Sequence, residues 1–108
     1  MKTKRIERVI ETMEIMKISG VNIVDMLNWD TCLVSYLVKV PYFQKMGLEF
    51  DIEPVYENYY GYEALMKFFD LDENQIKYLF YIEAHSLSNL KIHIDHLLNQ
   101  WKKFLRNN

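Results

Sequence analysis

Apolar residues between Thr3 and Ile18 fall at Ile6, Val9, Ile10, Met13 and Met16, in steps of three and four with charged residues between them. That repeat predicts a helix with one buried face, ended by Ser19-Gly20. The next stretch, Val21 to Trp29, fits either an extended piece or a single helical turn. Asp30 or Thr31 is placed to cap a helix running through Cys32, Leu33, Tyr36, Leu37 and Val40, because either side-chain oxygen can accept from the unpaired amides of a first turn. Pro41 permits a break or a fresh start, and Gly47 a C-terminal stop.

From Leu48 to Tyr60 the chain mixes β-branched and aromatic residues with Pro54 and shows no helical period, which predicts a loop with a short strand. Helix resumes over Tyr62–Phe69. Asp72-Glu73-Asn74-Gln75 has the form of a capping box, with Asp72 as the cap and Gln75 reaching back, and predicts a helix from Glu73 to about Ala84. Leu90, Ile94, Leu97, Leu98, Trp101, Phe104 and Leu105 then form the most regular stripe in the chain, with Ser86 or Ser88 as its cap. Together these elements predict a mainly α fold: one domain over residues 1–108, a compact bundle of four to five helices with one long acidic aromatic loop and at most a short strand pair.

Composition narrows the class. Half of the 108 residues are apolar, sixteen are aromatic, and Gly and Pro together number only five, as in a packed globule and unlike a disordered chain. Cys32 is the sole cysteine, so no intramolecular disulfide can form and a reducing, cytoplasmic setting is expected. The basic start of the chain meets Glu7, Glu11 and Glu14 before any apolar run long enough for a signal peptide, and no stretch is long enough to span a membrane.

The net charge of −2 hides a division. Residues 49–83 hold nine acids against Lys67 and Lys77, a local net charge of −7, which leaves +5 on the rest. Within that region, Glu49 to Glu63 carries five carboxylates, four tyrosines and a phenylalanine with no positive residue. Such a surface combines rigid contact area, hydroxyl hydrogen-bonding groups and negative potential, the combination suited to docking on a basic partner. Glu53, Tyr56, Glu57, Tyr59 and Tyr60 are the candidate contact residues, the tyrosines as anchors and the carboxylates setting approach and specificity.

Reactive chemistry finds little support. His93 and His96 lie three apart near the edge of the last helix's apolar stripe, but His85 and Cys32, the available further ligands, have no diagnostic metal-site spacing. No metal or cofactor is expected. Cys32 stands among Thr31, Leu33 and Val34 without a cation to stabilise a thiolate, and Asp70 and Asp72 occupy a turn where capping acids belong. Phosphate-cradling and hydrolase motifs are missing, and a non-enzymatic role is expected. The competing expectation is a nucleic-acid-binding or regulatory protein that uses Lys2, Lys4, Arg5 and Arg8 with Lys102, Lys103 and Arg106; a pI of about 5.9 weighs against it. Trp101 and Phe104, on a terminal helix with apolar surface to spare, also point to self-association.

The middle of the chain carries Asp25-Met26-Leu27-Asn28-Trp29, Cys32, Gly47-Leu48, Pro54-Val55-Tyr56, Ala64-Leu65-Met66-Lys67-Phe68-Phe69-Asp70-Leu71 and Leu79-Phe80. Over roughly residues 25–80 this resembles a set of small phage and bacterial proteins without an assigned activity. Those proteins continue Cys-Gly-Thr with a second cysteine and a Gly-x-Ala, whereas Cys32 here is followed by Leu33-Val34-Ser35-Tyr36. The resemblance implies a small accessory protein of a mobile element and carries over no catalytic residue. With the acidic aromatic segment, the expectation is a stoichiometric binding protein, a phage-encoded inhibitor that occludes a basic site on a host protein.

Overall fold

The computed structural model describes residues 1–80 and 86–106. Its elements run α1 (Thr3–Ile18), α2 (Leu33–Leu37), α3 (Pro41–Lys45), β1 (Leu48–Asp51), β2 (Glu53–Tyr56), β3 (Tyr59–Tyr60), α4 (Gly61–Phe69), α5 (Glu73–Leu79) and α6 (Leu87–Arg106). The expected mainly α bundle with a long loop is corrected on two counts. The described residues form six helices, not four or five, and the acidic aromatic segment is an antiparallel sheet of order β1-β2-β3. The fold is mixed, 61% helical with a small sheet built into it.

Pro54 explains why this region does not read as a sheet. It sits in β2, the middle strand, where a residue without an N–H should interrupt a ladder. Yet β3 is two residues long and pairs only with Val55 and Tyr56, so Pro54 has a neighbour on the β1 side alone, Phe50. The proline occupies what is locally an edge.

The helices follow the apolar spacing more closely. On α1, Ile6, Val9, Met13 and Met16 are buried, and on α6 Leu87, Leu90, Ile94, Leu97 and Leu98 are. Asp72 and Gln75 form the reciprocal capping box at the start of α5, with bonds of 2.8 and 3.0 Å, and Ser86 Oγ accepts from the Asn89 amide at α6. α5 stops at Leu79 with Phe80 as its cap, short of the expected run toward Ala84, which lies outside the described residues. α2 also differs from expectation: its cap position is Cys32, without a side-chain bond. Thr31 instead donates to the Asp25 carbonyl, and the Asp25 carboxylate accepts from the Leu27 amide and the Asn28 side chain, knitting residues 25–31 into a turn.

Four buried phenylalanines hold the centre. Phe68 and Phe69 meet edge to face at 4.9 Å, Phe43 lies 6.0 Å from Phe68, and Phe80 lies 5.7 Å from Phe69. Arg5 ties α1 to this cluster: its guanidinium lies 4.4 Å over the Phe68 ring and donates to the Phe68 carbonyl at 2.7 Å. The sheet packs on α4, and α6 packs on α1 and α5. No helix among the described residues is long and apolar enough to cross a membrane.

Candidate protein-docking surface

Strand register sorts the acidic aromatic segment into two faces. Leu48 pairs with Tyr56, Phe50 with Pro54 and Tyr56 with Tyr59, so these five side chains share the face toward α4. Glu49 pairs with Val55, Asp51 with Glu53 and Val55 with Tyr60, which gathers three carboxylates, a valine and a tyrosine on the opposite face.

The candidate residues therefore separate. Tyr56 points inward, its ring edge-on to Phe68 at 5.2 Å, and a side chain at Gly47 would meet that ring at 3.5 Å. Tyr59 is half-buried on the same face, with Lys67 Nζ 5.1 Å over its ring. Tyr60 is on the outer face and 57% exposed. Glu53 shares that outer face, its carboxylate lying by Gly61 at the start of α4, and Glu57 is exposed in the β2–β3 turn. Tyr62, the fourth tyrosine of the segment, packs on Trp29 at 5.0 Å, and burial raises its hydroxyl pKa.

Two turns shape the surface, each with an L-residue in the left-handed region. Ile52, alone between the paired Asp51 and Glu53, has φ 67° and is 82% exposed. A β-branched residue rarely adopts this conformation, and the strain is on the order of 1–2 kcal/mol. Glu57 has φ 55° at the first position of the two-residue turn to β3, a conformation that glycine more commonly occupies. Asp51 and Glu53 face each other directly across strands, a like-charge pairing that opposes folding. Among the described residues, Glu49, Asp51, Glu53 and Glu57 form no ion pair. The outer face thus combines unneutralised charge with an exposed isoleucine and tyrosine. Glu49, Asp51 and Val55 are additions to the sequence-derived set, signalled by the two-residue alternation that begins at the buried Leu48; Ile52 is a further addition that this alternation assigns to the inner face and that only the β1–β2 turn exposes.

The other candidates have structural occupations. Cys32 is 1% exposed, its thiol donates to the Trp29 carbonyl at 3.5 Å, and burial pushes its pKa up. His93 stacks on Tyr78 at 4.3 Å with Nδ1 2.8 Å from the Tyr78 carbonyl, and His96 meets the same ring edge-on at 6.0 Å. Asp95 pairs with Lys91, and His85 lies outside the described residues. No group of three or more metal-binding side chains is assembled among the described residues. Asp72 is the helix cap, while Asp70 accepts from the N-terminal amine at 2.8 Å, which holds its carboxyl below the usual range.

At the basic ends, Arg8 lies 4.8 Å over Tyr42 and pairs with Glu11. Lys2, Lys4, Arg5 and Tyr42 line a groove of about 400 Å³. A second groove of about 250 Å³ is lined by Gln75, Leu97, Gln100, Trp101 and Phe104, and the two share Met1. The start of α1 and the end of α6 are therefore neighbours. Comparison with known proteins brings no further guide: no family model matches the chain, and no curated protein or solved structure is similar to it.

Proposed function

We propose that this chain is a small non-enzymatic binding protein that docks a basic partner protein on the outer face of its β1–β3 sheet. The observation that carries it is the juxtaposition of Asp51 and Glu53, unneutralised and opposed across strands, with Ile52 and Tyr60 exposed beside them. Carboxylates in such an arrangement gain from an incoming cation, and the exposed isoleucine and tyrosine supply apolar contact area for anchoring. Tyr56 and Tyr59 act from beneath, holding the sheet on α4. Occlusion of a basic site on a host protein, as by a phage-encoded inhibitor, is the mode of action in keeping with the mobile-element resemblance.

Affinity capture from a bacterial lysate tests it, comparing the native chain with an Asp51→Lys/Glu53→Lys/Tyr60→Ala variant. The expected result is one basic protein recovered stoichiometrically by the native chain and lost by the variant; equal recovery by both overturns the assignment. The second reading, nucleic-acid binding through the basic ends, is favoured by the meeting of two grooves at Met1 beside Lys2, Lys4 and Arg5. It requires affinity for a labelled oligonucleotide that falls steeply as salt rises, and no binding at low salt removes it.

A further inference from the structure

In the order β1-β2-β3, β1 has a strand on one side only, and the pairing register fixes which backbone groups its other side presents. The two-residue turn at Glu57 and Asn58 closes on the Tyr56–Tyr59 pair, so Tyr56 directs its N–H and C=O to β3. Hydrogen-bonded and non-hydrogen-bonded pairs alternate along an antiparallel ladder. Leu48–Tyr56 is therefore a non-hydrogen-bonded pair, and so is Phe50–Pro54 two residues along, which is where a residue without an N–H disturbs the ladder least. Leu48 and Phe50 consequently turn their N–H and C=O groups away from β2. Among the described residues, neither amide finds an acceptor there. Glu49 and Asp51 bond β2 with their own backbone and hold their carboxylates on the outer face beside this open row, without an ion pair among the described residues.

We propose that β1 takes up an extended segment of the partner as a fourth, antiparallel strand, in which apolar residues lie opposite Leu48 and Phe50 and Lys or Arg lies opposite Glu49 and Asp51. This rests on the outer face being the docking surface and names how the partner meets it. Main-chain bonds to Leu48 and Phe50 give such a strand its hold, and side chains directly across the ladder share a face, so a cation there meets the unneutralised carboxylates. A second copy of this chain does not fit the edge: β1 paired with β1, faces matched, sets the carboxylates of one copy against those of the other. Two residues supply only about four backbone bonds, so an isolated peptide is expected to bind weakly, on the order of 0.1–1 mM.

Titration of the ¹⁵N-labelled native chain with the peptide Thr-Lys-Val-Lys-Val-Lys-Thr, acetylated and amidated at its ends, tests this. The Leu48 and Phe50 amides are expected to shift most and to exchange more slowly with solvent in the complex, and binding should weaken as salt rises. Two methylated peptides separate strand pairing from charge attraction. N-methyl groups on the valines block the amides that face β1 and should weaken binding at least about tenfold, whereas N-methyl groups on the lysines point away from the edge and should leave most of it. A Glu49→Lys/Asp51→Lys variant, at two exposed positions, should lose the lysine peptide and gain the counterpart with glutamate in place of lysine; matching thermal unfolding confirms that it folds.

Strand addition is overturned if the lysine peptide fails to bind at millimolar concentration and low salt, if the shifts fall away from β1, or if methylated valines weaken binding no more than methylated lysines. Capture of a basic protein by the native chain and its loss on charge reversal, alongside any of these results, rejects the strand and leaves the outer face as the docking surface. Peptide binding that needs the valine amides but ignores the charge reversal overturns the basic chemistry assigned to the partner, and with it the reading on which the proposal rests.

Discussion

The two faces of the β1–β3 sheet both carry tyrosine, one among apolar side chains and the other among carboxylates. Tyr56 and Tyr60 lie four residues apart, yet one ring packs on Phe68 while the other stands 57% exposed beside three carboxylates. The inner face gains by excluding water. The outer face contributes nothing comparable to folding and carries opposed charges and a strained turn that work against it. Residue type alone does not separate buried from exposed tyrosines; the pairing register does.

Substitutions that treat the faces differently give that contrast numbers. The largest effect is expected beneath the sheet, where Phe68→Ala removes a fully buried ring that touches Phe43, Phe69, Tyr56 and Arg5. It should cost about 3–5 kcal/mol in chemical denaturation. Tyr56→Ala, at a half-buried position, should cost about 2 kcal/mol, while Tyr60→Ala should stay within about 0.5 kcal/mol. Equal losses at the two tyrosines would erase the distinction between faces.

Next in size is a gain: Ile52→Gly releases the left-handed strain and should raise stability by about 1 kcal/mol in the same measurement, although it deletes an apolar side chain. Asp51→Lys, which turns an opposed like-charge pair into an attractive one, should add about 0.5 kcal/mol, and the gain should shrink in high salt. The smallest effect concerns Asp70, whose folded pKa is depressed first by its hydrogen bond from the N-terminal amine and then by that charge. A depressed carboxyl stabilises the fold above its unfolded pKa of about 3.9 and loses that contribution as pH falls through the lower, folded value. Asp70→Asn should accordingly flatten the acid limb of a pH–stability curve and leave the hairpin face unaffected.

Sequence legibility follows the same division. Helices α1 and α6 were readable because Ile6, Val9 and Met13, or Leu90, Ile94 and Leu97, repeat over several turns, and the Asp72–Gln75 box marks the start of α5. The sheet was not. Its alternation lasts four residues in each of β1 and β2, Pro54 argues against a middle strand, and only the shortness of β3 makes that proline tolerable. Asp30 and Thr31 looked equally fit to cap α2, but the nearby Asp25 organises that turn instead. For the candidate surface, composition located the segment, while the side each residue faces depended on which residue of a neighbouring strand lies opposite, information that no single strand contains.

Cys32 gives the molecule a built-in clock. As the only thiol in the chain and 1% exposed at the N-terminal end of α2, it can meet a thiol-specific reagent only when the core around it opens. Its labelling rate under native conditions therefore reports the free energy of that opening, without any engineered probe. Where opening and closing are fast relative to labelling, the equilibrium population of the open form sets the rate. An opening energy equal to global stability would tie the Asp25–Thr31 turn and α2 to the phenylalanine cluster as one cooperative unit, and a smaller value would reveal a piece of the fold that breathes on its own.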